Sequence, residues 1–225
     1  MFVPFSATEP PIKILVGPPE ATAPHVRAFC ERISPGAQPV RLAIRPDPGC
    51  LPRECFENVR QKVEKDGGRI RYGWAVWEWP RVFIEAEHHA VYEAADGSWR
   101  DLTPSIAEDP QTARLFLPED TAVYDFDNPD GPCRDNIRQA LAQDAQIEEY
   151  LRLAAELAAI MMRTPGTGMV TVSGTDAARV QEIVKKNSRL KREIAQRYTA
   201  QGAPCYCGSG LKFKRCHGHP RKISK

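Results

Sequence analysis

Two groups of residues have the types and spacing to do chemistry. Near the C-terminus the chain reads CYCGSGLKFKRCH, residues 205–217, which puts Cys205, Cys207, Cys216 and His217 within one short stretch. Three thiols and an imidazole are soft or borderline ligands that suit a tetrahedral zinc ion. A C-x-C pair grips one ion only if the backbone bends sharply, and Gly208 and Gly210 supply that freedom. Lys212, Lys214 and Arg215 lie where they offset the excess negative charge of three thiolates, and Phe213 is placed to cover the site. With so few apolar residues the tail cannot fold alone, so metal binding must supply its folding free energy, on the order of 10 kcal/mol for small zinc modules. Four protein ligands leave no open coordination position, so the zinc is expected to be structural. His219 is a rival fourth ligand.

The second group lies upstream. Cys55 opens an expected helix, CFENVRQKVEKDGG, whose positive end favours a thiolate. His88 and His89 lie on an expected strand, EAEHHAVYEA, and Asp101 on the next, SWRDLT. Cysteine, histidine and aspartate in that order fit a thiol nucleophile, its base, and the group that fixes the imidazole tautomer. Parity bears on which histidine serves. A two-residue Asp96-Gly97 turn sets Asp101 opposite Tyr92, on the face of His88; a bulge or an odd loop moves it to the face of His89. The structural alternatives are a small core cysteine, and paired histidines that are structural or share a second metal site with Cys50 or Cys55.

These residues must be positioned by the elements around them. The patterning gives a strand at 12–16, a helix at 24–33, a strand at 39–45, a helix at 55–68 and three strands at 69–79, 81–94 and 98–103. Prolines cluster at 1–52 and around 104–132, which predicts irregular, loop-rich chain there. From about 134 to 163 the pattern is helical, with Ile137, Leu141, Leu151, Ala154, Leu157 and Met161 as a buried stripe, and a basic helix follows at 176–199. The fold class is α+β: a mainly antiparallel sheet with flanking helices, a helical segment and a small zinc knuckle. The expected division is 1–130 as the α+β domain, 131–200 as the helical region and 201–225 as the zinc module.

Bulk properties narrow the classes. The 225 residues are 42% hydrophobic, enough for a core, and no apolar run is long enough to span a bilayer. The N-terminal stretch lacks the pattern of a secretory signal, so a cytoplasmic site is expected, where seven cysteines serve as ligands or nucleophiles rather than disulfides. The net charge of +2 hides an asymmetry: residues 175–225 carry 13 Lys+Arg against 3 Asp+Glu, and the rest is acidic. That basic end points to an anionic partner such as RNA, a ribosome or an acidic protein face, or else to attraction between the two halves of the chain.

Two resemblances add to this. APCYCGSGLKFKRCHG resembles the SEC-C motif, the zinc-binding tail of the SecA preprotein translocase ATPase and of many small bacterial proteins. The resemblance implies Cys205, Cys207, Cys216 and His217 as ligands, with Tyr206 where the family usually has proline, and implies docking to a protein or ribosome. HAVYEAADGSWRDLTP is similar to the transglutaminase-like core. That likeness favours Cys55, His89 and Asp101 as a catalytic set, with His88 as the alternative histidine; it departs at Thr103, which stands where the usual aspartate precedes proline. The wider segment, from ECFENV to DGSWRDLTP, resembles an N-terminal module of bacterial SEC-C proteins. Two functions are therefore expected. The first is a bacterial cytosolic zinc protein docked to a protein or ribonucleoprotein by its C-terminal module. The second is a cysteine hydrolase, deamidase or acyltransferase that uses the zinc module for targeting.

Overall fold

The computed structural model describes residues 16–106, 111–128, 134–164 and 171–219. The strand expected at 12–16 lies, except for Val16, outside them. Among the described residues, four α-helices and a mostly antiparallel sheet make the α+β class expected from the patterning. The chain divides into two compact units. One comprises 16–78 with 84–139, and the other comprises 79–83 with the chain from 140 onward.

The first unit contains α1 (Pro24–Ile33), β1 (Val40–Ala43), α2 (Cys55–Asp66), most of β2 (Arg69–Trp79) and β3 (Phe83–Glu93), then β4 (Trp99–Arg100), β5 (Ala113–Pro118) and most of β6 (Ile137–Ala140). The strand order is β1-β5-β2-β3-β4, with β6 also on β3. Beyond the two ends of this path, Ile44 bridges Asp101 in parallel, and the Arg45 amide donates to the Asp101 carbonyl at 2.8 Å. The chain just after β4 is thereby tied back to the chain just after β1. Two apolar clusters follow. Leu42, Val91 and Phe116 pack together with Trp99 against them. Cys55, Phe56 and Val59 of α2 pack on Ala90, Tyr92 and Leu102.

Two local expectations are corrected, and an alternative left open, the length of the hairpin loop, is decided. The proline-rich stretch at 104–132 holds β5, which sits between β1 and β2 with Leu115, Phe116 and Leu117 fully buried. A run buried on both faces shows no alternation, so its period is silent. Its close approach to β2 needs Gly73, where a Cβ would lie 2.2 Å from the Leu117 carbonyl oxygen. Second, the helix expected from 134 begins only at 145. Ile137–Ala140 is instead strand β6, paired with β3, and the Leu141 amide donates to the Val82 carbonyl. Asp144 sets the start of the helix as N-cap, its side chain accepting from the Gln146 amide at 2.9 Å. Third, the hairpin after β3 has a three-residue loop. Glu93 pairs with Trp99, the Ala94 amide bonds the Ser98 carbonyl, and Gly97 alone in the turn has positive φ. This is the geometry of a type I turn closed by a left-handed glycine.

The second unit pairs α3 (Ala145–Arg163) with α4 (Gly174–Tyr198). Ile147, Leu151, Leu153 and Ile160 are buried on α3, and Ile183, Leu190 and Ile194 on α4. Met161, expected in the stripe, is 38% exposed. Glu149 pairs with Lys186, Glu156 with Arg179 and Arg163 with Asp176. As positions rise along α3 their partners fall along α4, so the helices run antiparallel. Two of the basic side chains of α4, Arg179 and Lys186, are thus answered by acids of α3. No described helix is long and apolar enough to cross a membrane.

Candidate functional site

The structure brings Cys55, His89 and Asp101 together from three elements of the sheet unit. Cys55 is the first residue of α2, which has no side-chain N-cap. The chain entering that helix is held by Asn58, whose side chain accepts from the Leu51 amide at 2.9 Å and donates to the Leu51 carbonyl at 2.8 Å. His89 lies on β3, and its Nε2 is 3.2 Å from Asp101 Oδ2. The Cys55 sulfur lies beside the His89 imidazole, close enough to help raise its pKa. The hairpin explains the choice of histidine. A three-residue loop sets Arg100 opposite Tyr92 and, in the same register, Asp101 opposite Val91, which shares a face with His89.

The cluster is dry: Cys55 is 7%, His89 4% and Asp101 0% exposed. Burial alone would drive the His89 pKa down, but the facing Asp101 carboxylate and Cys55 sulfur outweigh it and raise the pKa to about 10. Asp101 is held below the ordinary carboxylate range. Burial would raise its pKa, but the charge of His89 and the Arg114 guanidinium overcome that cost.

His88 belongs to the other face. Its Nε2 donates to the Ala122 carbonyl at 2.6 Å, and its Nδ1 accepts the Arg134 amide at 3.2 Å. These partners assign the neutral Nε2–H tautomer. Its ring packs on Phe56 and Trp74, and burial lowers its pKa. His88 is therefore a satisfied core histidine and no ring partner of Asp101.

Arg114 is the residue that sequence reasoning missed. From β5 its Nη1 donates to Asp101 Oδ2 at 2.6 Å and to the Thr103 carbonyl at 2.8 Å, and the side chain is buried. Asp101 Oδ1 accepts the Thr103 amide at 2.9 Å. The signal was an arginine inside the apolar run ARLFLP, because a buried guanidinium demands a carboxylate.

The C-terminal cluster is built differently. Cys205, Cys207, Cys216 and His217 bring their ligand atoms within 4.8 Å of one another. Cys207 Sγ lies 3.6 Å from Cys216 Sγ, and His217 Nδ1 lies 3.3 Å from both Cys205 Sγ and Cys216 Sγ. A tetrahedron with zinc bond lengths has S···S edges of about 3.8 Å and S···N edges of about 3.6 Å, so these three separations lie within about 0.3 Å of such a site. The cluster takes His217, and the expected rival His219 is not part of it.

The knuckle is shaped by its backbone. Gly208 and Gly210 both have positive φ, and the Cys205 amide bonds the Leu211 carbonyl. Burial raises the Cys205 pKa against the opposing pull of the Cys207 and His217 backbone amides beside its sulfur. The Ser209 hydroxyl first, then its amide, lowers Cys207 to about 6. Phe213 and Tyr206 cover one side, with the Tyr206 ring 4.9 Å from that of His217. Gln196 of α4 braces the module by accepting from Tyr206 Oη at 2.7 Å and donating to the His217 carbonyl at 3.0 Å.

The comparisons bear on this second cluster. The SEC-C motif family matches at residues 203–218, which contain all four ligand-type residues. The chain is also similar to the UPF0225 protein PC1_1977 of Pectobacterium carotovorum subsp. carotovorum (strain PC1), with 33% identity over 94 residues covering 36% of this chain. No solved structure matches. The chain spans 59% of the length of that curated relative, and it carries a SEC-C motif whose three cysteines and histidine are gathered as a candidate metal site.

Proposed function

We propose that the sheet unit is a thiol acyl-transfer centre, a hydrolase, deamidase or acyltransferase of the transglutaminase-like kind, and that the SEC-C module is its zinc-held docking device. The observation that carries the reading is the buried His89–Asp101 pair, 3.2 Å apart, with the buried Cys55 at the start of α2 beside the imidazole. Cys55 attacks an acyl carbon and forms a C–S bond. His89 gives its proton to the departing amine or alkoxide as the old acyl bond breaks. A water or amine acceptor then attacks the thioester, returns a proton to His89 and frees the sulfur. Asp101 holds the imidazole in orientation and balances its charge.

The test uses a small activated ester. Full-length protein treated with p-nitrophenyl acetate should gain one acetyl group on Cys55, located by peptide mass spectrometry. Cys55→Ser should gain none there, and His89→Gln should slow acylation by about 10²–10⁴-fold. Acylation of Cys55 at an equal rate in His89→Gln would show that the imidazole has no catalytic role.

In the tail, Cys205, Cys207, Cys216 and His217 would hold zinc, which would supply fold rather than chemistry because four protein donors fill its coordination. The exposed Lys212, Lys214 and Arg215 favour docking to an acidic protein face or a ribonucleoprotein, in the cytoplasm where the thiols stay reduced. Co-sedimentation with ribosomes that disappears in the triple Glu variant of these residues supports that partner; co-sedimentation unchanged by the variant refutes this surface.

A further inference from the structure

We propose that Arg114 is a fourth member of the Cys55–His89–Asp101 unit, a positioning residue that fixes Asp101 and sets how many protons Cys55 and His89 hold between them. The inference rests on the acyl-transfer reading above.

The geometry makes Arg114 more than a neighbour. Its Nη1 and the His89 Nε2 share one oxygen, Asp101 Oδ2, at 2.6 and 3.2 Å. The same Nη1 is anchored on the Thr103 carbonyl, and Trp77 of β2 lies 5.8 Å from the guanidinium carbon. The second carboxylate oxygen is taken by the Thr103 amide, so Asp101 has little freedom to turn. Cys55 of α2 and Asp101 beyond β4 face the imidazole, and His88 is its neighbour on β3. Arg114 of β5 faces the carboxylate.

Charge counting in this dry site gives the consequence, because a buried net charge is costly. With Arg114 cationic and Asp101 anionic, neutrality requires Cys55 and His89 to hold one proton between them, which permits a thiolate beside an imidazolium. Without Arg114, neutrality requires two protons on the pair, and the sulfur is quenched. Without the Asp101 charge, neutrality requires none. A plain triad makes the opposite prediction for the last case, since loss of the carboxylate should weaken the nucleophile's ionisation.

The test is the pH profile of Cys55 acylation by p-nitrophenyl acetate, read as the pH of half-maximal rate, which belongs to the Cys55/His89 pair. Circular dichroism verifies that each variant is folded. Arg114→Gln should move the half-point up by about one pH unit or more. Arg114→Lys, which keeps the charge, should stay within about half a unit of wild type, and Asp101→Asn should not move the half-point up. A folded Arg114→Gln with the wild-type profile, or an Asp101→Asn profile shifted up, overturns the proposal. Should Arg114→Gln fail to fold, the direction of the Asp101→Asn shift decides alone. Absence of wild-type acylation at Cys55 removes the acyl-transfer reading itself, an outcome distinct from a profile insensitive to Arg114.

Discussion

Two regions of this chain gather cysteine and histidine, and different physics holds each together. In the sheet unit, Cys55 and His89 meet because α2 and β3 are packed by large apolar side chains, and the polar atoms are pulled into a dry site where Asp101 and Arg114 must answer them. In the C-terminal module the order is reversed. Phe213 and Tyr206 are nearly its whole apolar cover, and the ligand atoms converge because glycines turn the backbone and amides point at sulfur. One site is a by-product of a core; the other replaces a core. On the proposed function, the Cys55 thiol of the first serves proton transfer and the three thiols of the second serve a cation.

The contrast breaks most sharply under ligand removal. Cys207→Ser should abolish binding of one zinc per chain, worth on the order of 10 kcal/mol in such modules. Amides of 203–218 should then exchange freely while those of α2, β3 and β5 keep their wild-type protection. Metal analysis and hydrogen exchange check both halves. An unchanged zinc content would remove the four-ligand assignment.

A smaller loss is expected in the sheet unit. Asp101→Leu leaves Arg114 and His89 without their carboxylate, and breaking a buried ion pair from one side costs about 3–5 kcal/mol. Urea unfolding measures it, and a loss below about 1 kcal/mol would mean that the buried network is solvated.

The two faces of β3 sharpen the comparison through pH. His88 is neutral in the fold, with its pKa below the unfolded value of about 6.5. The unfolded chain therefore binds the proton first, and stability should fall as pH drops below about 6.5. His89 has the opposite sign: its folded pKa is raised, so its contribution is complete below 6.5 and is lost as pH rises toward about 10. Melting temperatures across pH 5–10 should show both slopes, with the acid-side slope reduced in His88→Gln. The smallest effect belongs to the helix pair. Asp144→Ala removes the α3 N-cap and the acceptor of Tyr198 Oη at 3.0 Å, for about 1 kcal/mol by thermal unfolding.

Legibility followed the same division. The metal cluster was readable because its ligands are local and its glycines and lysines lie beside them in the chain. The order Cys55, His88/His89, Asp101 was readable along the chain, but which histidine meets Asp101 turned on one residue of loop length, which Asp96-Gly97 does not fix by itself. β5 was not legible, because a strand buried on both faces loses its alternation, and Arg114 showed only as an arginine inside an apolar run, its partner Asp101 coming from the chain beyond another strand. β6 was hidden inside a helical period, since Ile137 and Leu141 are spaced as on a helix although β3 takes that segment as a strand. The basic C-terminal end was readable as charge, but not that Arg179 and Lys186 of α4 are paired with Glu156 and Glu149 of α3.

A single spectrum tests the central claim that His89 is the charged, proton-holding member of a buried acyl-transfer site. In ¹⁵N-histidine-labelled, zinc-loaded protein at pH 7.5, His89 should show both ring nitrogens protonated. In the same spectrum His88 should be the neutral Nε2–H tautomer, and His217 should carry its proton on Nε2 with Nδ1 bound to metal. A neutral His89 at that pH, or identical protonation of His88 and His89, would contradict the account.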